Sequence, residues 1–92
     1  MGRYAEAFSQ AKDDRESFWL DAAKGVDWEV APTRALDDSA PPIYRWFPDG
    51  TLNTCHNALD RHVAAGNGDR TALVWDSAMV GEVRNYTYAA LL

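Results

Sequence analysis

Apolar and polar positions along this chain change period several times, and each change marks an element. Tyr4, Ala7, Phe8 and Ala11 recur at three- and four-residue spacing, which predicts one face of a short helix. A second helical run follows in DDRESFWLDAAKGVDW, with Phe18, Trp19, Ala22 and Ala23 as its apolar stripe. Asp13 with Glu16 three residues on predicts a capping pair, because both carboxylates suit the positive end of a helix. Gly25 is expected to stop this helix in a left-handed conformation, with Val26 folding back toward Leu20.

From 27 to 44 the helical period disappears. Pro32, Pro41 and Pro42 break regular structure, while Trp28, Val30, Leu36 and Ile43 stand as spaced apolar anchors. This pattern predicts an extended arm laid on a surface, since a free linker would not carry tryptophan. Arg45-Trp46-Phe47 reads as a short extended piece, and Pro48-Asp49-Gly50 as a turn in which Gly50 takes positive φ.

Helical spacing returns at Leu52, Cys55, Leu59 and Val63, with Asn53 or Thr51 as the cap and Gly66 and Gly68 as breakers. TALVWD, 71 to 76, and VRNYTY, 83 to 88, then predict two strands joined through SAMVGE. Thr87 is placed to cap a helix opening in YAALL. One or two helical turns are not stable alone, so the expectation is a piece of a longer protein. The fold class predicted is an α+β fragment: N-terminal helices and an extended arm, then the first helix and β-hairpin of a larger α/β domain.

Size and charge narrow the function. Ninety-two residues make one small domain at most. Four Trp, four Tyr and three Phe are many for this length and call for a partner surface. A net charge of −5, with the basic residues scattered singly, argues against nucleic acid or an anionic membrane as the main partner. A single cysteine forms no internal disulfide, and neither a signal peptide nor a spanning apolar run is visible, so a cytoplasmic setting is expected. Asn85-Tyr86-Thr87 spells a glycosylation sequon that means nothing in that setting.

RWFPDGTLNTCHNALDRH, residues 45 to 62, gathers the cysteine, both histidines and two aspartates, and invites a catalytic reading. Cys55 and His56 are adjacent and point about 100° apart on a helix. Cys55 lies on the apolar stripe and is expected to be a buried small hydrophobe rather than a nucleophile. His56 and Asp60 share a face, but two ligands do not make a zinc site. His62 beside Asp69 is equally plain. GNGD, Gly66 to Asp69, follows a helix and precedes a strand, the reverse of a phosphate loop. Asp13, Asp14 and Glu16 read as a helix start rather than paired acids. Trp19, Trp28, Trp46 and Phe47 read as packing rather than a ligand pocket.

ESFWLDAAKGVDW, then LDDSAPPIYRWFPDGTLNTCHNALDRH, DRTALVWD and YTYAAL resemble, in order and over nearly the whole chain, the N-terminal end of AMP-forming short-chain acyl-CoA synthetases. The most specific part is Trp-Phe, a glycine turn, Leu-Asn, then Asn-x-x-Asp-Arg-His. CHNALDRH and FWLDAAKGVDW are more similar to propionate-CoA ligases than to acetate ones. The resemblance implies a parent that activates a carboxylate with ATP and Mg²⁺ to an acyl-adenylate and passes the acyl group to CoA. It implies an N-terminal extension over 1–60 and the start of the adenylate-forming domain over 61–92. The lysine-bearing motifs of that chemistry are absent from this sequence, so no catalytic, cofactor-binding or metal residue is carried over and the chain alone is expected to be inactive. Arg45, Asp49, Asp60 and Arg61 are expected to make the polar contacts of the signature. The rest of the adenylate-forming domain is the expected partner. In its absence self-association is expected, through Trp28, Trp46, Phe47 and Ala89 to Leu92. The competing readings are a self-standing acidic protein-interaction module and, more weakly, a metal-binding protein.

Overall fold

The computed structural model describes residues 2–92. Two compact units divide the chain, the first ending at Leu52 and the second spanning Asn53–Leu92.

The first unit opens with helix α1, Arg3–Asp13, and helix α2, Arg15–Ala23. Tyr4 and Phe8 stack on α1 with ring centroids 6.3 Å apart, yet both rings stay largely exposed. Asp14, not Asp13, caps α2: its side chain accepts from the Ser17 N–H at 3.2 Å, while Asp13 closes α1. Two helices meeting in one residue leave Asp14 as the non-helical position that a cap requires.

The end of α2 also departs from expectation. Gly25 has no left-handed φ; its N–H donates to Ala22 O at 3.2 Å and the Val26 N–H to Ala23 O at 3.1 Å. The freed carbonyl of Ala23 takes a second donor, Trp28 Nε1, at 2.8 Å. A tryptophan side chain therefore helps satisfy this helix end, where a left-handed glycine was expected.

The arm is more regular than its prolines suggest. Strands β1, Leu36–Ala40, and β2, Ile43–Trp46, pair antiparallel with Leu36 opposite Trp46 and Ala40 opposite Ile43. Pro41 and Pro42, joined by a cis peptide bond, form the two-residue connection. Proline is tolerated there because the turn supplies no N–H to the ladder. Beyond β2, Phe47 adopts φ 49°, the left-handed region, and Gly50 does not. The Phe47 N–H donates to Ala35 O at 2.7 Å and its carbonyl accepts from the Gly50 N–H at 3.1 Å, which holds the unusual backbone. Val30 and Thr51 bridge antiparallel and tie the end of the unit back to the arm. The buried residues Ala23, Ala35, Leu36 and Asp37 mark where α2 meets the arm.

The second unit begins with a helical stretch from 54 that includes a π-pitch segment, His56–Asp60, and a second wide turn, Val63–Asn67, interrupted by non-helical backbone at Gly66. Asn53 is its cap, accepting from the His56 N–H at 3.0 Å. Gly66 ends it at φ 87°, the left-handed conformation that glycine adopts freely. Strands β3, Thr71–Ser77, and β4, Glu82–Thr87, form an antiparallel hairpin, and helix α3, Tyr88–Leu91, follows with Thr87 Oγ accepting from the Ala90 N–H at 3.1 Å. The α3 start returns to the helix end: Tyr88 N donates to Arg70 O at 3.0 Å and Ala89 N to Gly68 O at 2.9 Å. No residue of this unit is buried.

Candidate functional site

Three carboxylates give the first unit its tertiary form, each by holding part of the 33–39 segment. Glu16, on α2, points away from its own helix and accepts from the Ala35 N–H at 2.5 Å and the Leu36 N–H at 3.4 Å. Asp49 accepts from the Thr33 N–H at 3.1 and 3.0 Å and closely from the Thr33 hydroxyl. Asp37, only 9% exposed, accepts from the Ser39 N–H at 3.1 Å, the Ser39 hydroxyl at 2.6 Å and Arg45 at 2.8 Å. Ser39 and Arg45 hold the Asp37 carboxyl far below the usual carboxylate range, and the Thr33 hydroxyl and N–H lower that of Asp49. Hydrogen bonds to the charged form cause both shifts.

Above these tethers runs a chain of rings. Phe18 meets Trp19 edge-on at 5.1 Å, Trp19 meets Trp46 at 5.7 Å, Trp46 meets Phe47 at 6.0 Å, and Phe47 meets Trp28 at 5.5 Å. Trp28 lies so close to Gly50 that a Cβ there would come within 2.7 Å of the indole. Trp28 and Phe47 thus find partners inside the unit, while Trp46, Ile43 and Tyr44 on β2 remain exposed. An open apolar cleft of about 210 Å³ lies between Leu20, Ala23, Lys24, Trp28, Ala31 and Pro32.

The signature residues separate into two groups. Arg45 and Asp49 make the polar contacts just described. Cys55, expected to be buried, is exposed. An apolar stripe is buried only by a surface that covers it, and no such surface lies over Cys55 here. Its thiol is pushed up by partial desolvation and by the nearby Asp60 carboxylate, which accepts from it. Cys55 and Asp60 are five apart, a spacing that the π pitch brings onto one face. A thiol raised this way is the opposite of an activated nucleophile. The Arg61 N–H donates to His56 O and Leu59 O at the end of the first π segment. His62 packs on the Tyr88 ring at 5.1 Å rather than pairing with Asp69.

Among the described residues no three His, Cys, Asp or Glu side chains come together for a metal. Gly66 and Gly68 close a helix and lead into β3 instead of opening a helix toward a phosphate. Among the described residues no helix is long and apolar enough to cross a membrane.

The geometry is that of a carboxylate-tethered arm ending in an aromatic surface. A family profile described as acetyl-coenzyme A synthetase N-terminus matches residues 4–58, more than half the chain and all of the tethered arm. The chain belongs to the acetyl-coenzyme A synthetase N-terminus family. Among its relatives, an acetyl-coenzyme A synthetase of Streptomyces coelicolor is 51% identical over 87 residues, covering 95% of this chain and 13% of the relative. One of Burkholderia lata is 45% identical over 93 residues, covering 100% of this chain and 14% of that protein. One of Mycobacterium tuberculosis is 43% identical over 88 residues, covering 96% and 14%. The chain therefore spans about one seventh of the length of these relatives. The profile stops at 58, while the compact units divide after Leu52.

The sequence alone did not reveal Glu16 as a tether, since a Glu three residues after Asp13 reads as a capping partner. Asp37 was also missed. Its signal is Asp-x-Ser, a pattern in which the side chain bonds the backbone two residues on.

Proposed function

We propose that this chain is the architectural N-terminal segment of an AMP-forming short-chain acyl-CoA ligase. The observation that carries the reading is the family match over 4–58 together with 51% identity, across 95% of the chain, to an acetyl-coenzyme A synthetase. In this reading residues 1–60 form the extension and 61–92 open the adenylate-forming domain, whose remaining surface covers the exposed rings of β2 and the hairpin. ATP, Mg²⁺ and CoA bind in the remainder of the parent, in the cytoplasm. There a carboxylate becomes an acyl-adenylate and then a thioester. The residues here tether and cover; none of them touches the reacting atoms.

The names of the relatives support acetate as the carboxylate. Propionate is the second reading, favoured by the wording of CHNALDRH and FWLDAAKGVDW. ATP–pyrophosphate exchange by the parent, measured with each acid in competition, separates them. The 92-residue chain assayed alone should give background exchange with both. Carboxylate-dependent exchange from the pure chain would overturn the architectural reading. Sedimentation tests the accompanying expectation that the chain by itself associates through its exposed apolar side chains; a compact monomer at high concentration counts against it.

A further inference from the structure

The chain has four asparagines, and only Asn67 precedes a glycine. Asn53 is followed by Thr54, Asn57 by Ala58 and Asn85 by Tyr86. Glycine matters because the chemistry at issue is attack by the next main-chain nitrogen, and a missing side chain lets that nitrogen approach closely.

The structure sharpens the contrast. The Asn53 side chain is held by the His56 N–H at 3.0 Å, and the Asn57 side chain donates to Asn53 O at 3.0 Å. No described residue hydrogen-bonds the Asn67 side chain. Asn67 also sits directly after Gly66 at φ 87°, where the helix ends, in a unit with no buried residue. Local opening of such a helix end is easy. Asp49-Gly50 has the same permissive neighbour, and an aspartate there could cyclise by the same route. Its carboxylate is bonded by Thr33, and the Gly50 N–H is occupied by Phe47 O at 3.1 Å.

We propose that Asn67 is a site of spontaneous deamidation and isomerisation, and that Asp49 is protected from the equivalent reaction by its tether. The Gly68 nitrogen attacks Asn67 Cγ. The bond from that nitrogen to Cγ forms, the Cγ–Nδ2 bond breaks, and ammonia leaves with the proton that the Gly68 amide gives up. One water then opens the cyclic imide at either carbonyl, leaving aspartate or isoaspartate; no electrons are gained or lost. Isoaspartate adds a carbon to the main chain next to Gly68 O and Arg70 O, the acceptors that hold the start of α3 at 2.9 and 3.0 Å. The modification therefore adds a negative charge and loosens α3.

The test is to age the purified full chain at mildly alkaline pH and map its peptides by mass spectrometry with chromatographic separation of isoaspartate. Asn67 should convert several-fold faster than Asn53, Asn57 and Asn85, and Gly68→Ala should slow it severalfold. That variant fits the fold, because a Cβ at Gly68 meets Ala89 and Val63 only at 3.5 and 3.7 Å. Asp49 should isomerise more slowly in the native chain than in urea. Conversion of Asn67 at the rate of the other asparagines, conversion only in urea, or no response to Gly68→Ala overturns the proposed site. Isomerisation of Asp49 at equal rates in native and unfolded chains overturns the protection.

Discussion

The two units of this chain are held together in different ways. In the first, side chains tie distant segments: Glu16 reaches Ala35 across 19 residues, Asp49 reaches Thr33 across 16, and Trp28 closes over both the α2 end and Gly50. In the second, the links are mostly main-chain, in the β3–β4 ladder and the two bonds that return α3 to the helix end. The first unit buries Ala23, Ala35, Leu36 and Asp37; the second buries nothing. A unit with few apolar contacts and solvent-exposed hydrogen bonds opens locally at low cost. The contrast teaches that regular secondary structure does not rank stability here. The arm carries the specific tertiary contacts, and the β3–β4 hairpin carries few.

Acid should break the comparison most sharply. Asp37 and Asp49 have lowered carboxyls, and both belong to the first unit. A lowered group contributes stability that is fully present above the ordinary carboxylate pKa, near 4, and lost as pH falls through its own lower value. Near-UV circular dichroism of the tryptophans is therefore expected to hold down to about pH 4 and then fall away as the pH drops further. A constant signal down to strong acid would show that the tethers do not hold the ring cluster.

Truncating Trp28 comes next. Trp28→Ala removes the cover over Gly50 and the bond to Ala23 O, at an expected cost of about 3 kcal/mol. Met79→Ala, at a side chain 97% exposed in the other unit, should stay within about 0.5 kcal/mol. Equal shifts in the denaturation midpoint would erase the distinction between the two units.

A matched pair of glycines sharpens it further. Gly50→Ala forces a Cβ to within 2.7 Å of the Trp28 ring and should cost about 2 kcal/mol by overpacking. Gly68→Ala meets only ordinary contacts and should be neutral or slightly stabilising. The smallest expected loss from removing a contact belongs to α3. Thr87→Ala removes its cap bond, about 1 kcal/mol, and amide exchange at Ala90 should rise while exchange at Ala35 stays unchanged.

Much was legible in the residues themselves. Helices over Tyr4 to Ala11 and Phe18 to Ala23, the hairpin of TALVWD with VRNYTY, the Asn53 and Thr87 caps and the Gly66 stop all follow from local period and backbone preference. The family is legible too, because RWFPDGTLNTCHNALDRH is a long specific string whose first part lies within the matched 4–58. Only the tertiary structure decided that Pro41-Pro42 turns a hairpin and that Phe47, not Gly50, takes the left-handed backbone. It likewise decided that the Glu16 side chain reaches from its helix to the arm and that Cys55 is exposed. Each of these depends on a partner far away in sequence, or on the lack of one. Local spacing records which conformations a segment prefers, but not which distant N–H, ring or surface will be there to meet it.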